Sequence, residues 1–301
     1  MRIARIAPLF ILLVACTRTQ PVTTHKLTVA ATFYPLAHFA EQVGGEHVQV
    51  INMTPNGIEP HDYEPTPQDL AELEEVDLFL YNGAGLDPWA ETIAPNLAAK
   101  GITTLRATER IDLLEGHDEH EEEEQHEATD PHAWLDPTYA LYIVGQIRDE
   151  LVAIDPENAA TYNGNAATYV STLQLLEKHY REDLADCTLR EIIVSHDAYR
   201  YMATRYDFAT HAIAGLSPDE EPSAQRIAEL ADLAKEKGID TIFFEELVSP
   251  DLAQTIADEV GAQTNVLHTI EGLTPGQSAG ATYMSLMYEN LESLKLAMHC
   301  Q

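Results

Sequence analysis

The chain has few basic residues, few cysteines and no apolar run long enough to span a membrane. Its 301 residues include 17 lysines and arginines against 50 aspartates and glutamates, a formal net charge of −33. Nucleic-acid-binding proteins need a basic surface, so this balance excludes that class. Anionic lipids would also repel such a charge, which excludes a membrane surface held by electrostatics. The composition predicts an acidic globular protein whose partners are neutral molecules or cations.

The N-terminus carries an export pattern. Arg2 and Arg5 precede the apolar run Ile6–Ala15, which as a helix reaches only about 15 Å, about half the hydrocarbon thickness of a bilayer. We therefore interpret residues 1–15 as a secretory signal peptide rather than a transmembrane span.

The apolar run ends at Cys16 in Leu13-Val14-Ala15-Cys16, which resembles a bacterial lipobox. In that motif the cysteine is lipidated and becomes the new N-terminus; the alternative is an ordinary signal peptide followed by an incidental cysteine. Acyl chains contribute about 0.8 kcal/mol per buried CH₂. We expect an extracytoplasmic protein that is anchored to a bacterial membrane through its lipid alone, on the periplasmic or cell-surface face, with a polar tether over residues 16–26.

Cys187 and Cys300 are the remaining cysteines. An exported protein folds in an oxidising compartment, where a pair of cysteines can form a disulfide. The two residues are either bonded to each other or serve as two small apolar side chains. Sequence alone does not give their Cα separation, so both alternatives stay open.

Short β-rich runs alternate with helical patterns along the chain. The runs are Leu27–Phe33, Val48–Met53, Asp77–Asn82, Thr103–Leu105, Glu191–Ser195, Thr210–Ala214, Thr241–Phe244 and Thr264–Ile270. The two halves also resemble each other: Trp89–Ala94 matches Leu252–Ala257, and Gln68–Leu73 matches Gln225–Leu230. Alternation and repetition together predict an α/β fold of two pseudo-symmetric lobes, each a mostly parallel sheet flanked by helices.

Between the halves, apolar residues recur at helical spacing, and a helix of roughly 28 residues there would span about 42 Å. This pattern predicts one long helix that joins the lobes. The predicted organisation is a signal peptide at 1–15, a tether at 16–26, an N-terminal lobe at 27–155, a connecting helix at 156–186 and a C-terminal lobe at 187–301.

Three histidines lie singly next to predicted strands or prolines. His61 follows the strand Val48–Met53, His132 lies between two prolines, and His196 comes directly after Glu191–Ser195. In open α/β sheets ligands bind beyond the carboxyl ends of the strands. The three imidazoles are therefore predicted to converge on one metal ion in a cleft.

Four sequence blocks closely resemble the metal-binding solute-binding proteins of ABC importers for zinc and manganese. The blocks are Gly57–Pro67 (GIEPHDYEPTP), Asp130–Pro137 (DPHAWLDP), Val194–Phe208 (VSHDAYRYMATRYDF) and Val266–Pro275 (VLHTIEGLTP). The resemblance covers essentially the whole mature chain. It implies two α/β lobes joined by a long helix, a metal between the lobes, delivery to an ABC permease with its ATPase, and no enzymatic activity.

The resemblance also implies a ligand set. Carried over by position, the first three ligands are His61, His132 and His196, and the fourth is a carboxylate that corresponds to Glu271. Many members have an aspartate in an Asp-Pro-Leu setting at this point, and this chain has a glutamate. The alternatives for the fourth position are therefore His268, three residues earlier, or a water molecule.

The donor set favours zinc as the transported ion. Three imidazoles and one carboxylate suit tetrahedral Zn²⁺, whereas Mn²⁺ prefers oxygen ligands. In the manganese-type relatives the third ligand is a carboxylate, and here it is His196. Two alternatives remain: a manganese-type receptor of the same family, or a zinc-dependent hydrolase, which would need an open fourth position and a general base.

A second group of histidines lies in the acidic segment Glu115–Glu127. The segment has no apolar residue to bury, so we expect residues 115–128 to form a disordered loop. It resembles the acidic, His-rich loop of zinc-type family members. This predicts that His117, His120 and His126 act as weak, interchangeable ligands that collect zinc near the cleft; the alternative is a solvated charge run.

Overall fold

The computed structural model describes residues 26–116, 129–277 and 279–301. The predicted signal peptide, Cys16, most of the tether and the loop histidines His117, His120 and His126 lie outside the described residues. Among the residues that are described, no helix is both long and apolar enough to cross a membrane.

The described chain forms two parallel sheets of four strands each, in the orders β2-β1-β3-β4 and β6-β5-β7-β8. The strands are β1 Leu27–Ala31, β2 Val48–Asn52, β3 Leu78–Tyr81, β4 Thr103–Arg106, β5 Glu191–Val194, β6 Ala209–Ala212, β7 Thr241–Phe244 and β8 Gln263–Val266. Both halves use the same strand order, as expected of an internal repeat. The predicted fold class is confirmed.

Helices flank both sheets. They are α1 Tyr34–Gly44, α2 Pro67–Glu72, α3 Pro88–Ala99, α4 Pro137–Ile154, α5 Ala159–Asp183, α6 Arg200–Tyr206, α7 Ala224–Lys237, α8 Asp251–Val260 and α9 Tyr283–Ala297. Several begin at clear sequence signals. Asp136 accepts a hydrogen bond from the backbone N–H of Thr138 and precedes Pro137 at the start of α4, which fixes where that helix begins.

Strand side chains alternate between a central core and an outer core. In β1, Val29 and Ala31 face the central core and Ala30 faces the outer core of the first lobe. In β5, Val194 faces the central core and Ile193 the outer core of the second lobe. The central core contains residues of both lobes and the buried face of α5, so the lobes share apolar packing that limits their separation.

The segment predicted as the connector begins with a short 3₁₀ turn, Pro156–Asn158, and the α-helix follows as α5, with 25 residues. At 1.5 Å per residue α5 is about 38 Å long.

Beyond α5, Cys187 and Cys300 form a disulfide. This bond ties the start of the second lobe to the end of the chain.

The last strand is shorter than the sequence predicts. Strand β8 ends at Val266 instead of Ile270, because the carbonyls of residues 267–269 bond to side chains instead of a neighbouring strand. Ile270 then adopts a positive φ of 57°. The chain therefore leaves the sheet before it reaches Glu271.

Candidate metal centre

Four side chains converge where the two lobes meet. His61, His132, His196 and Glu271 each offer one ligand atom, and these atoms all lie within 4.8 Å of one another. Each residue follows the carboxyl end of a strand: β2, β4, β5 and β8 respectively. This is the edge at which open α/β sheets bind their ligands.

The spacing of the ligand atoms fits a tetrahedron around one ion. Nε2 of His132 lies 3.3 Å from Nε2 of His61 and 3.2 Å from Nε2 of His196. Oε1 of Glu271 lies 3.9 Å from Nε2 of His61, 3.4 Å from Nε2 of His132 and 3.5 Å from Nε2 of His196. A tetrahedral Zn²⁺ with ligands at about 2.0–2.1 Å places them about 3.3–3.4 Å apart.

The imidazoles of His132 and His196 are held by buried carboxylates. Nδ1 of His132 donates to Oδ1 of Asp130 at 2.8 Å, and Nδ1 of His196 donates to Oε1 of Glu245 at 2.8 Å. Ser195 also donates to Oε1 of Glu245, at 2.6 Å. Such partners fix the ring orientation and leave Nε2 as the ligand atom.

His61 lies in a 3₁₀ turn, Pro60–Asp62, at the start of which Glu59 accepts a hydrogen bond from the His61 backbone N–H at 3.3 Å. Among the described residues, no carboxylate accepts a hydrogen bond from its Nδ1. Burial lowers the pKa of His61 to about 3. The ring is therefore neutral at physiological pH and ready to bind a cation.

Glu271 is fully buried, and neither of its carboxylate oxygens makes a hydrogen bond to the described residues. Burial alone would raise its pKa, but the rings of His132 and His196 outweigh that effect and hold the pKa well below its usual range. A buried carboxylate whose nearest imidazole nitrogens lie 3.4 and 3.5 Å away, without well-formed hydrogen bonds, is costly. A bound cation among the histidines would relieve that cost.

The sequence did not single out Glu59, Asp130 or Glu245 as parts of the site. Burial, followed by the charge of Glu271, raises the pKa of Glu59 to about 10, which makes it a neutral neighbour of Glu271. Glu245 directly follows β7. Its position at the carboxyl end of a strand was a signal that could have identified it.

His268, the alternative fourth ligand, lies outside the group of four. Its ring contacts Glu246 through Nδ1 and Glu289 through Nε2, the latter at 3.2 Å. Its backbone N–H donates to Oδ1 of Asn290 at 2.7 Å. The structure thus brings Glu271, and not His268, to the three histidines.

A cavity of about 410 Å³ reaches the site from one side. Of the four converging residues His61 alone lines it, together with Arg106, Thr129, Ser217 and Glu220. Thr129 is the first described residue after the His-rich segment. The cavity therefore connects His61 with the place where that segment rejoins the fold.

Comparison with known proteins gives consistent matches. The family model described as "Zinc-uptake complex component A periplasmic" (ZnuA) matches residues 29–297. The chain is 38% identical to the high-affinity zinc uptake system protein ZnuA of Bacillus subtilis, over 96% of this chain and 95% of that protein. It is 39% identical to the zinc-binding lipoprotein AdcA of Streptococcus pneumoniae, over 94% of this chain but 58% of that longer protein.

Among solved structures, the Zn(II)-bound ZnuA-like domain of Streptococcus pneumoniae AdcA superposes with a TM-score of 0.79 at 38% identity. The match covers 91% of this chain and 99% of that domain.

Proposed function

The chain belongs to the family of the periplasmic zinc-uptake complex component A, and we propose that it binds one Zn²⁺ through His61, His132, His196 and Glu271. The ion is its cargo, which it passes to an ABC permease and its ATPase. The observation that carries the proposal is the set of five ligand–ligand distances given above, four of 3.2–3.5 Å and one of 3.9 Å. The four shorter ones lie close to the edges of a zinc tetrahedron, about 3.3–3.4 Å.

The donor set supports zinc over manganese. Three nitrogens and one oxygen suit a borderline cation in four-fold coordination, whereas Mn²⁺ prefers more oxygens and a higher coordination number. Membership of the family makes the protein a solute-binding receptor and not an enzyme. The site agrees, because four protein ligands leave no open position for the water that a zinc hydrolase needs.

Isothermal titration with Zn²⁺ and Mn²⁺ tests the ligand set. We expect one tight zinc site in the wild-type protein and its loss in His132→Ala. His211→Ala is the matched control, because His211 pairs with Glu191 on the second lobe, at 3.0 Å, away from the site. Tight zinc binding that survives His132→Ala, or tighter binding of Mn²⁺ than of Zn²⁺, would contradict the proposal.

The protein acts outside the cytoplasm, as a member of a periplasmic uptake family. We further propose that lipidated Cys16 anchors it to the membrane, because the sequence before Cys16 resembles a lipobox. In cells given a labelled fatty acid, the wild-type protein should carry label in the membrane fraction. Cys16→Ala should carry none and appear in the soluble fraction; label that persists in Cys16→Ala would refute the anchor.

The acidic segment Glu115–Glu127 is proposed to collect zinc near the cleft. The described residues on either side of it lie near the site, since Glu115 and Thr129 pair in an antiparallel bridge and Thr129 lines the cavity next to His61. Deletion of the segment should abolish weak additional zinc equivalents, because it removes His117, His120 and His126, and leave the tight site intact, because it removes none of the four proposed ligands. Loss of the tight site on titration of the deletion protein would show that the segment supplies a primary ligand.

A further inference from the structure

Glu271 follows a residue with a costly backbone conformation. Ile270 has a φ of 57°, a left-handed conformation that is rare for a β-branched residue. Such a conformation persists only where its surroundings hold it firmly. The contacts of the residues just before Ile270 are therefore informative about how Glu271 is placed.

Three consecutive carbonyls before Ile270 each accept a hydrogen bond from a buried side chain. Tyr199 Oη donates to the carbonyl of Leu267 at 2.6 Å, and Trp134 Nε1 donates to that of Thr269 at 2.8 Å. Asn290 pairs with both backbone groups of the residue between these two, residue 268. Its Nδ2 donates to the carbonyl and its Oδ1 accepts from the N–H, each at 2.7 Å.

Two of the three donors come from the segments that carry two of the other ligands, and the third, Asn290, lies on α9. Trp134 is two residues after His132, and Tyr199 is three residues after His196. Tyr283 Oη also donates to the carbonyl of Trp134 at 2.6 Å. The chain segments of His132, His196 and Glu271 are therefore joined by hydrogen bonds between buried groups, across the boundary between the lobes.

We propose that Tyr199, Trp134 and Asn290 are positioning residues that hold the segment 267–269, and through the turn at Ile270 fix Glu271 against His132 and His196. The inference rests on the proposed function and adds how its fourth ligand is preorganised. The backbone that carries Glu271 helps to determine where its carboxylate lies, and these three side chains hold that backbone. A preorganised ligand binds more tightly, since no ordering cost falls on metal binding.

Tyr199→Phe is the most direct test, because it removes one hydroxyl and keeps the ring. Tyr180→Phe is the matched control: Tyr180 is similarly buried, and its hydroxyl donates at the same distance, 2.6 Å, to the carbonyl of Met287, which lies outside the segment 267–269. Both variants lose one buried hydrogen bond, so both should lower the melting temperature by a similar amount. Zinc affinity, measured by competition with a chromophoric chelator, should separate them.

We expect Tyr199→Phe to weaken zinc binding by about threefold to thirtyfold and Tyr180→Phe to leave it unchanged. The visible spectrum of the Co²⁺-loaded protein should change in Tyr199→Phe, because the fourth ligand shifts, and remain like the wild type in Tyr180→Phe. Trp134→Phe, which removes the hydrogen bond to Thr269, should behave like Tyr199→Phe. It provides a second variant should the first not fold.

Equal zinc affinities and Co²⁺ spectra in Tyr199→Phe, Trp134→Phe and Tyr180→Phe would overturn the inference. That result would leave the proposed function intact as long as His132→Ala abolishes tight binding. If the wild-type protein does not bind zinc tightly, or if His132→Ala still does, the proposed function fails instead, so the two failures are distinguishable.

Discussion

His61 and His132 both belong to the first half of the chain, yet they are held in different ways. His132 is fully buried, and both its Nδ1 and its backbone N–H donate to Asp130. His61 has 8% of its side chain exposed, lines the cavity beside the site and has no carboxylate on Nδ1 among the described residues. One histidine is fixed inside the protein, and the other lies at the mouth of the site.

The difference divides the site into a fixed part and an accessible part. His132, His196 and Glu271 are buried and their chain segments are linked by Trp134 and Tyr199. Of the four proposed ligands, His61 alone lines the cavity.

Removal of the two imidazoles should have unequal effects. A four-ligand zinc site has a binding free energy of about 10–16 kcal/mol, or about 2.5–4 kcal/mol per ligand, so His132→Ala should raise Kd about 70- to 900-fold. It also removes one of the two hydrogen bonds that residue 132 donates to buried Asp130 and leaves the backbone one. His61→Ala should raise Kd by a smaller factor, about ten- to a hundredfold, because water from the cavity can take its place. Titration with a competing chelator measures the zinc Kd of both variants. An equal rise in Kd in the two variants would contradict the distinction between a fixed and an accessible histidine.

Removal of the carboxylates that accept hydrogen bonds from His132 and His196 should have the next largest effect on zinc affinity. Asp130→Asn and Glu245→Gln keep the shape of the side chain but weaken the hydrogen bond that orients His132 or His196. We expect each to raise the zinc Kd about 10- to 100-fold. Glu191→Gln is the control, because Glu191 holds His211 outside the site. A Kd that changes equally in all three variants would mean that the effect is not specific to the site.

Much of this arrangement could be predicted from the sequence. Alternating β and α patterns, together with the repeated segments of the two halves, predict two similar parallel sheets, and the two sheets do share one strand order. The histidines His61, His132 and His196 stand out because they follow strands or lie between prolines. These are local signals, readable from a few neighbouring residues.

Other features depend on contacts between distant residues. Glu245 bonds to His196 across 49 positions, and Trp134 bonds to Thr269 across 135. The early end of β8 has the same origin, because side chains from three other segments hold its extension. Residue spacing along the chain does not encode such contacts. For this reason the strand was predicted to continue to Ile270, and the sequence left both Glu271 and His268 as candidates for the fourth ligand.

Acid should weaken zinc binding through the two fixed histidines and not through His61. Burial acts to lower the pKa of His132 and His196, but their carboxylate partners outweigh it and raise both pKa values. Zinc binds the neutral ring, so below these raised pKa values it must displace a proton from each, and affinity should fall about tenfold per pH unit per proton. The pKa of His61, lowered to about 3, places its protonation below that range.

Calorimetry in two buffers of different ionisation enthalpy counts these protons. We expect proton release at about pH 6 in the wild-type protein, unchanged release in His61→Ala, and less in Glu245→Gln, which removes the charge that raises the pKa of His196. If proton release disappears in His61→Ala, the released proton comes from His61, and the assignment to His132 and His196 is wrong.

The disulfide should matter for folding and not for zinc. Cys187 and Cys300 are bonded within the second lobe, away from the four converging residues. Replacing both with serine should cost about 2–5 kcal/mol of unfolding free energy, measured by chemical denaturation, with zinc affinity at room temperature unchanged. A large loss of affinity would show that the bond also shapes the site.

The central claim is that one zinc ion is held by three histidines and Glu271 between the lobes. Anomalous diffraction from a crystal of the zinc-loaded protein, collected on both sides of the zinc absorption edge, tests it most directly. We predict a single strong peak in the cleft, about 2.0–2.2 Å from Nε2 of His61, His132 and His196 and from a carboxylate oxygen of Glu271. A peak elsewhere, or one in the cleft that Glu271 does not ligate, would contradict the account.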